Sequence, residues 1–327
     1  MTNGKLVISL DFEIYWGVRD AVKLKDYREH LLGVHTVIPR LLQIFRQYQI
    51  NATFATVGFL FFNDKQELLR NLPPKKPSYS DSNLSPYNGH INDIGEDEVN
   101  DPFHFGAGLI QQIRAAGQEI GSHTFSHYYC LEKGQTKEDF KEDLLIAKKI
   151  ASERGIALKS FVFPRNQYNK DYLDICKEIG FSSFRGNEKS WLFSSKTQGL
   201  GTTLRRPFRL ADAYINLSGH NCHSDKEMKK SVPVNIPASR FLRPYTKKLK
   251  AFENLRLKRI TDSMTFAAKN GLTYHLWWHP HNFGINISEN LSFLEQILIH
   301  YRKLNKEYKF ESINMQQLAE ELNTENS

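Results

Sequence analysis

The sequence predicts an α/β fold, with a mostly parallel sheet and helices outside it. Strand-like and helix-like runs alternate along most of the chain, which is the pattern of βα units. Three clusters of acidic residues or histidines each follow a strand-like run: Asp11-Phe12-Glu13, His123 to His127, and His275 to His281. An α/β barrel distributes its active site along the sequence in this way, at the carboxyl ends of its strands.

The elements follow in order. Leu6-Val7-Ile8-Ser9-Leu10 makes Lys5 to Leu10 the first strand. Between Glu29 and Tyr48 the residues Val34, Val37, Ile38, Leu41, Leu42 and Phe45 form a helical stripe. Ala52 to Val57 is the second strand, and a third ends near Ile120. Thr136-Lys137-Glu138-Asp139 opens a helix with a capping-box pattern, Asp standing in the third position, and the helix ends before Gly155. Ser160 to Phe163 is a fourth strand, Asp171 to Ile179 a helix stopped by Gly180, and Phe181 to Phe184 a fifth strand. Tyr274 to Trp278 is a late strand. Ser288 caps a helix through Leu304, Phe310 to Ile313 is a short strand, and Asn314 caps a terminal helix.

Two segments break this rhythm. Asn71 to Phe105 contains Pro73, Pro74, Pro77 and Pro86, and Lys189 to Lys250 has little periodicity. Loops of such length in compact domains are usually functional lids or disordered insertions, and both are expected beside the barrel mouth. The chain is read as one domain over residues 1–327, with insertions at about 71–105 and 189–250.

A hydrophobic content of 40% and an aromatic content of 12% exclude a disordered chain. No apolar run approaches the about 20 residues that span a bilayer. A strand beginning at Lys5 leaves no room for a signal peptide, and three scattered cysteines argue for a reducing compartment. A cytoplasmic protein is therefore expected. The net charge of +8 is concentrated between Lys226 and Arg259, where eleven Lys/Arg face only Glu227 and Glu253. Such a segment attracts phosphates or an anionic membrane surface, or else forms a solvated helical face. No recognition motif accompanies it, so nucleic acid is not an expected partner.

His123 and His127 stand four residues apart, so on a helical turn both imidazoles would share one face. Gly121-Ser122 is read as the small pair that lets the chain turn to present them. Two histidines plus a carboxylate, with positions left for water, form the ligand set of a hydrolytic metal site. The carboxylate comes from Asp11 or Glu13, which pleating with Phe12 between them places on one face.

With these residues in view, the chain resembles the polysaccharide deacetylase family, also called the NodB-homology domain or carbohydrate esterase family 4. Gly117-Gln118-Glu119-Ile120-Gly121-Ser122-His123-Thr124-Phe125-Ser126-His127 is similar to that family's second motif, H-[S/T]-x-x-H after a G-x-E-[I/V]-G-[N/S] lead. Ser9 to Glu13 resembles its first motif in the branch with separated carboxylates, and Trp277-Trp278-His279-Pro280 its last motif. The likeness covers about residues 5 to 320. It implies a distorted, incomplete (β/α) barrel and a divalent metal, with Zn²⁺ the first choice.

The resemblance also implies site residues. Glu13, His123 and His127 would hold the metal, Asp11 would be the base and His279 the acid for the leaving amine. Which carboxylate takes which role stays open, and His275 and His281 are alternatives to His279. The family's third motif has an arginine before a proline; here Phe163-Pro164-Arg165 reverses the order, and Arg165 is expected to orient Asp11. For substrate binding the candidates are Trp16 beside the acidic motif, Trp278 as a sugar-stacking surface, and Arg240, Arg243 and Tyr245 as holders of a phosphate or carboxylate. Trp277 is assigned to barrel packing.

The function so implied is metal-dependent removal of an N-acetyl group from an amino sugar. Without an export signal, the substrate is expected to be a cytoplasmic intermediate of surface-polysaccharide or glycolipid assembly, nucleotide- or lipid-linked. The competing readings are hydrolysis of a non-sugar amide or imide, and an inactive carbohydrate- or lipid-binding module.

Overall fold

Eight short strands pair side by side, all in parallel, in a computed structural model that describes residues 3–190, 192 and 200–324. They are β1 (Lys5–Phe12), β2 (Ala52–Thr56), β3 (Glu119–Ser122), β4 (Ser160–Val162), β5 (Ser183–Arg185), β6 (Val234–Asn235), β7 (Arg240–Phe241) and β8 (Thr273–Trp278). Their order is β6-β5-β4-β3-β2-β1-β8-β7, and β9 (Glu311–Ser312) adds to the start of β1. The path ends at β6 on one side and β7 on the other, with no ladder joining the two among the described residues. The sheet is thus parallel, as the βα alternation predicted, and curled into the incomplete barrel that the resemblance implied.

Helices α1 (Leu24–Leu32), α2 (Val34–Tyr48), α3 (Lys65–Arg70), α4 (Ala107–Ala115), α5 (Lys137–Glu153) and α6 (Leu173–Glu178) surround the first strands. Helices α7 (Leu200–Asp212), α8 (Asp225–Met228), α9 (Glu253–Lys269), α10 (Ile287–Tyr308) and α11 (Met315–Thr324) complete the chain. The capping box forms as expected: Thr136 accepts from the Asp139 N–H while the Asp139 carboxylate accepts from the Thr136 N–H. The predicted Glu29–Tyr48 helix is two helices. At Gly33, between them, the chain passes so close to Gly284 that a Cβ would lie 2.0 Å from its carbonyl oxygen.

Strand pleating sorts the residues into two layers. Leu6, Ile8, Leu10 and Phe12 of β1 join the large apolar core between sheet and helices, as do Phe161, Phe184, Tyr274, Leu276 and Trp278. The alternate residues face the barrel interior. At its amino end, Val7, Ala55, Val162 and Ile236 pack against Met315, Leu318 and Leu322, so α11 plugs that end. Above the plug the interior turns polar, with Ser9, Asp11, Arg185 and His275 all buried. This polar column leads to the carboxyl ends of the strands.

The two irregular segments are ordered where they are described. The 71–105 segment forms short turns at Ser82–Leu84 and His90–Asn92 and folds onto the mouth, where Tyr79 Oη accepts the Tyr129 N–H at 2.9 Å. The 189–250 segment contributes α7, α8, β6 and β7; residues 191 and 193–199 of it lie outside the described residues.

Candidate functional site

The chain leaves β1 at Phe12 and carries Glu13 into the barrel mouth, buried beside His123 and His127. Glu13 Oε2 lies 3.2 Å from His123 Nε2 and 3.1 Å from His127 Nε2. One ligand atom from each of the three residues falls within 4.8 Å of the others. His123 Nδ1 is 2.9 Å from the Val162 carbonyl, which can only accept, so this nitrogen carries the proton and Nε2 carries the lone pair. His123 Nε2 is buried and has no hydrogen-bond partner. Burial depresses the His127 pKa and favours its neutral form. Burial would raise the Glu13 carboxyl, but His279, His123 and His127 hold it well below the usual carboxylate range. Two imidazole nitrogens and a carboxylate oxygen therefore converge in one buried place, and this ligand set fits a divalent cation.

The histidines reach this position differently from the expected helical turn. Residues 123–127 are not helical, and Thr124 (φ 63°) and His127 (φ 58°) adopt left-handed backbone. Such strain persists only where surroundings impose it. Here Asp143 of α5 accepts the N–H groups of Phe125 (2.6 Å) and Ser126 (3.2 Å), and Thr124 Oγ1 accepts the Tyr128 N–H at 2.7 Å. Gly121 and Ser122 belong to β3 rather than to the turn. Gly17 presses on the carboxylate: a Cβ there would lie 1.9 Å from Glu13 Cδ. On the far side of His127, Nδ1 lies 3.1 Å from Tyr129 Oη, which in turn donates to Asp20 at 3.3 Å.

Asp11 is held by a residue the sequence reading missed. Arg185, at the end of β5, donates from its two Nη atoms to the two carboxylate oxygens at 2.7 Å each, and also to Ser9 Oγ (3.0 Å) and Asn166 Oδ1 (3.1 Å). Burial would raise the Asp11 carboxyl, but Arg185, His123 and His279 keep it below its ordinary value. Arg165 does not orient Asp11. It sits in left-handed backbone (φ 53°), pairs with Asp20 and lies 4.6 Å over the Tyr129 ring, so it supports the far side of His127 instead.

His279 completes the cluster, its Nε2 3.7 Å from Asp11 Oδ2 and 3.6 Å from Glu13 Oε1, with Nδ1 3.1 Å from Asn282 Oδ1. His281 stacks on His279 with ring centres 4.9 Å apart, and burial pushes its pKa down to about 3. His275 is likewise pushed down to about 3 by burial and the Arg185 charge; both its nitrogens are engaged, by the Ile236 carbonyl and Ser9 Oγ.

Other expected substrate contacts lie elsewhere. Trp278 points outward into the core and stacks on Phe283, whereas Trp277 faces the mouth, 4.3 Å from the Arg185 guanidinium and 5.6 Å from the His279 ring. The two tryptophans thus exchange the positions expected of them, because 277 shares the strand parity of 275 and 279. Trp16 is fully buried and donates its indole N–H to the His104 carbonyl at 2.8 Å, a packing role. Arg240 is buried and pairs with Asp212 at 3.0 Å, alongside Arg259, so its charge is spent inside the protein. Tyr245 lies on the α9–α10 surface, where its backbone N–H donates to Asn290. Arg243 stays nearer the mouth, within reach of the Glu188 charge.

The basic segment is not one face. Arg240, Arg256 and Arg259 are buried in internal ion pairs, and Lys226 and Lys229 flank Leu272 at the amino end of β8, away from the site. Beside the site, a cavity of about 250 Å³ is lined by Arg165, Asn166, Asn187, Glu188, Arg209 and Trp277. Among the described residues, no helix is long and apolar enough to cross a membrane.

Comparison with known proteins agrees with this architecture. A protein from Mycobacterium smegmatis assigned as a polysaccharide deacetylase superposes with a TM-score of 0.60 at 13% identity, over 99% of this chain and 92% of that one. A protein from Pseudomonas aeruginosa PAO1 with the same assignment gives 0.53 at 11% identity, over 98% and 90%. Puue allantoinase gives 0.53 at 11% identity, over 98% and 89%. At such identities the likeness is one of fold. No curated protein matches the chain. The sequence model of the polysaccharide deacetylases matches residues 26–184, the stretch that carries His123 and His127, so this part of the chain is similar to that family in sequence as the whole is in fold.

Proposed function

We propose that the protein is a metal-dependent hydrolase that removes the N-acetyl group of an amino sugar. The observation that carries this reading is the convergence of Glu13, His123 and His127 beside a carboxylate that a buried arginine keeps ionised. A divalent ion, with Zn²⁺ the first choice, would be held by those three residues; when bound it polarises the amide carbonyl and acidifies a water. Asp11 takes the proton of the attacking water. Arg185 uses one lone-pair site on each Asp11 oxygen, and a carboxylate has about four, so capacity remains for that proton.

His279 Nε2 lies within 3.7 Å of both acids, and it gives a proton to the departing amine. Asn282 fixes the ring by accepting at Nδ1. We place the substrate in the cytoplasm, as a nucleotide- or lipid-linked intermediate of surface-polysaccharide or glycolipid assembly. The exposed Lys247, Lys248 and Lys250 ahead of α9, which would attract an anionic handle on the substrate, support this reading.

The test is acetate release from N-acetylated sugars by the Zn²⁺-loaded protein. His279→Ala should lower the rate on the amide by about 10²–10⁴-fold, the usual worth of a general acid. An activated acetate ester, whose leaving group needs no proton, should lose far less. Equal losses on the two substrates would remove His279 from the acid's role.

A further inference from the structure

The cavity beside the reactive cluster has a lining that hydrolysis itself does not use. Three of its buried polar atoms have no hydrogen-bond partner: Glu188 Oε2, Asn187 Oδ1 and the indole Nε1 of Trp277. Glu188 is buried, and its other oxygen accepts the Phe241 N–H at 3.2 Å, so one end of the carboxylate is pinned and the other left open. The amide of Asn187 is pinned in the same way, its Nδ2 donating to the Asn166 carbonyl at 3.0 Å. Burial pushes the Glu188 carboxyl up to about 7, and Trp277 Nε1 lies near it but short of hydrogen-bond geometry.

Buried polar groups almost always find a partner in protein, ordered water or ligand, so three open ones around one cavity make it a candidate for a polar ligand. The cavity is also placed for catalysis. Trp277 forms its wall and contacts Arg185 on one side and His279 on the other, and these are the two residues that touch Asp11.

We propose that this cavity is a sugar subsite that takes one ring of the substrate, with hydroxyl groups donating to Glu188 and Asn187 and an oxygen accepting from Trp277. The two acceptors call for donors and the indole calls for an acceptor, and vicinal hydroxyls supply both within one small molecule. The volume of about 250 Å³ falls below the roughly 300–1,000 Å³ of sites for drug-sized ligands, so a single ring fits where a chain does not. The substrate is then a lone or terminal amino sugar rather than an internal unit of a polymer. This deepens the hydrolase reading and rests on it for the chemistry, but binding can be measured without turnover.

The experiment is ligand-observed NMR titration of the Zn²⁺-loaded protein with N-acetylglucosamine, N-acetylgalactosamine, N-acetylmannosamine, chitotetraose and allantoin. At least one N-acetylhexosamine should bind saturably, with chitotetraose no tighter. Glu188→Gln, which keeps the shape but can replace the open acceptor oxygen with an amide donor, should weaken binding about tenfold, as expected when a ligand hydroxyl loses its acceptor. Trp277→Phe, which removes only the N–H and part of the ring, should also weaken it. Melting temperatures serve as the control for folding; if Glu188→Gln fails to fold, Trp277→Phe carries the test.

The proposal is overturned if no monosaccharide binds, if allantoin binds instead, if affinity rises tenfold with chain length, or if neither substitution changes it. Acetate release is scored separately. Binding that depends on Glu188 without any turnover would leave the subsite standing and remove the hydrolase reading, and turnover with unaltered binding would do the reverse.

Discussion

Replacing Arg185 with Met tests the part of the site that is most tightly built. The guanidinium is almost fully buried and makes four hydrogen bonds, two of them to Asp11. Removing one partner of a buried pair leaves the other charge uncompensated and costs about 3–5 kcal/mol. The sign with pH follows from Asp11. Burial would raise its carboxyl, and Arg185 is the chief group holding it down. A depressed folded-state pKa contributes stability above the unfolded value of about 3.8, and that stability is lost as the pH falls through the folded value. Without Arg185 burial acts unopposed, the pKa rises, and the buried carboxyl becomes a liability above its unfolded value.

The gap in unfolding free energy between wild type and Arg185→Met should therefore widen from pH 4 to pH 8, as measured by urea unfolding at each pH. Activity should follow the same logic. A protonated Asp11 cannot take a proton from water, so acetate release should fall by about 10²–10⁴-fold at pH 6. Part of that loss should be recovered at pH 8. Arg185→Lys, which keeps the charge but not the two-pronged contact, should fall between the two. A gap below about 1 kcal/mol at pH 7, or one that does not narrow towards pH 4, would refute the assignment of Arg185 as the group that keeps Asp11 ionised.

Two further outcomes are expected. Gly17→Ala adds a methyl where the Glu13 carboxylate lies, so metal affinity measured by competition with a chelator should drop about 10–100-fold although no ligand is altered; unchanged affinity would mean that Glu13 is free to move aside. Asp212 is buried among Arg240, Arg259 and Ser218; burial would raise its carboxyl, but Arg240 and then Ser218 and Arg259 hold it below the ordinary value. Asp212→Asn should cost about 3–5 kcal/mol at pH 7, and the difference from wild type in urea unfolding should shrink as the pH falls below about 4. A penalty independent of pH would assign the loss to packing rather than charge.

How far the sequence anticipated the site depends on the range of the interaction. Asp11 and Glu13 are two residues apart on one strand end, and His123 and His127 share one turn, so local spacing was enough to bring them to notice. Arg185 was not legible. Its partner lies 174 residues away, and a three-residue strand offers too little pattern to say that its last side chain enters the barrel. Arg165 stood out only because it borders a proline, and its left-handed backbone turns it towards Asp20.

The exchange between Trp277 and Trp278 was readable by counting from His275 and His279, since alternate residues share a face. Burial of charge was the harder problem. Arg240, Arg256 and Arg259 look like surface basicity in a linear count, yet each is neutralised inside the protein by Asp212 or Glu253. Nor does spacing alone tell an i, i+4 pair on a helix from one on a strained turn; Asp143, which holds that turn, lies on a separate helix.

The central claim is that Glu13, His123 and His127 hold one catalytic metal. Calorimetric titration of chelator-stripped protein with Zn²⁺ tests it most directly. The account predicts one equivalent bound to the wild type, with binding abolished in His123→Ala and strongly weakened in Glu13→Gln, while both variants keep the wild-type circular dichroism. Wild-type protein that takes up no metal, or a His123→Ala variant that binds it undiminished, would contradict the account.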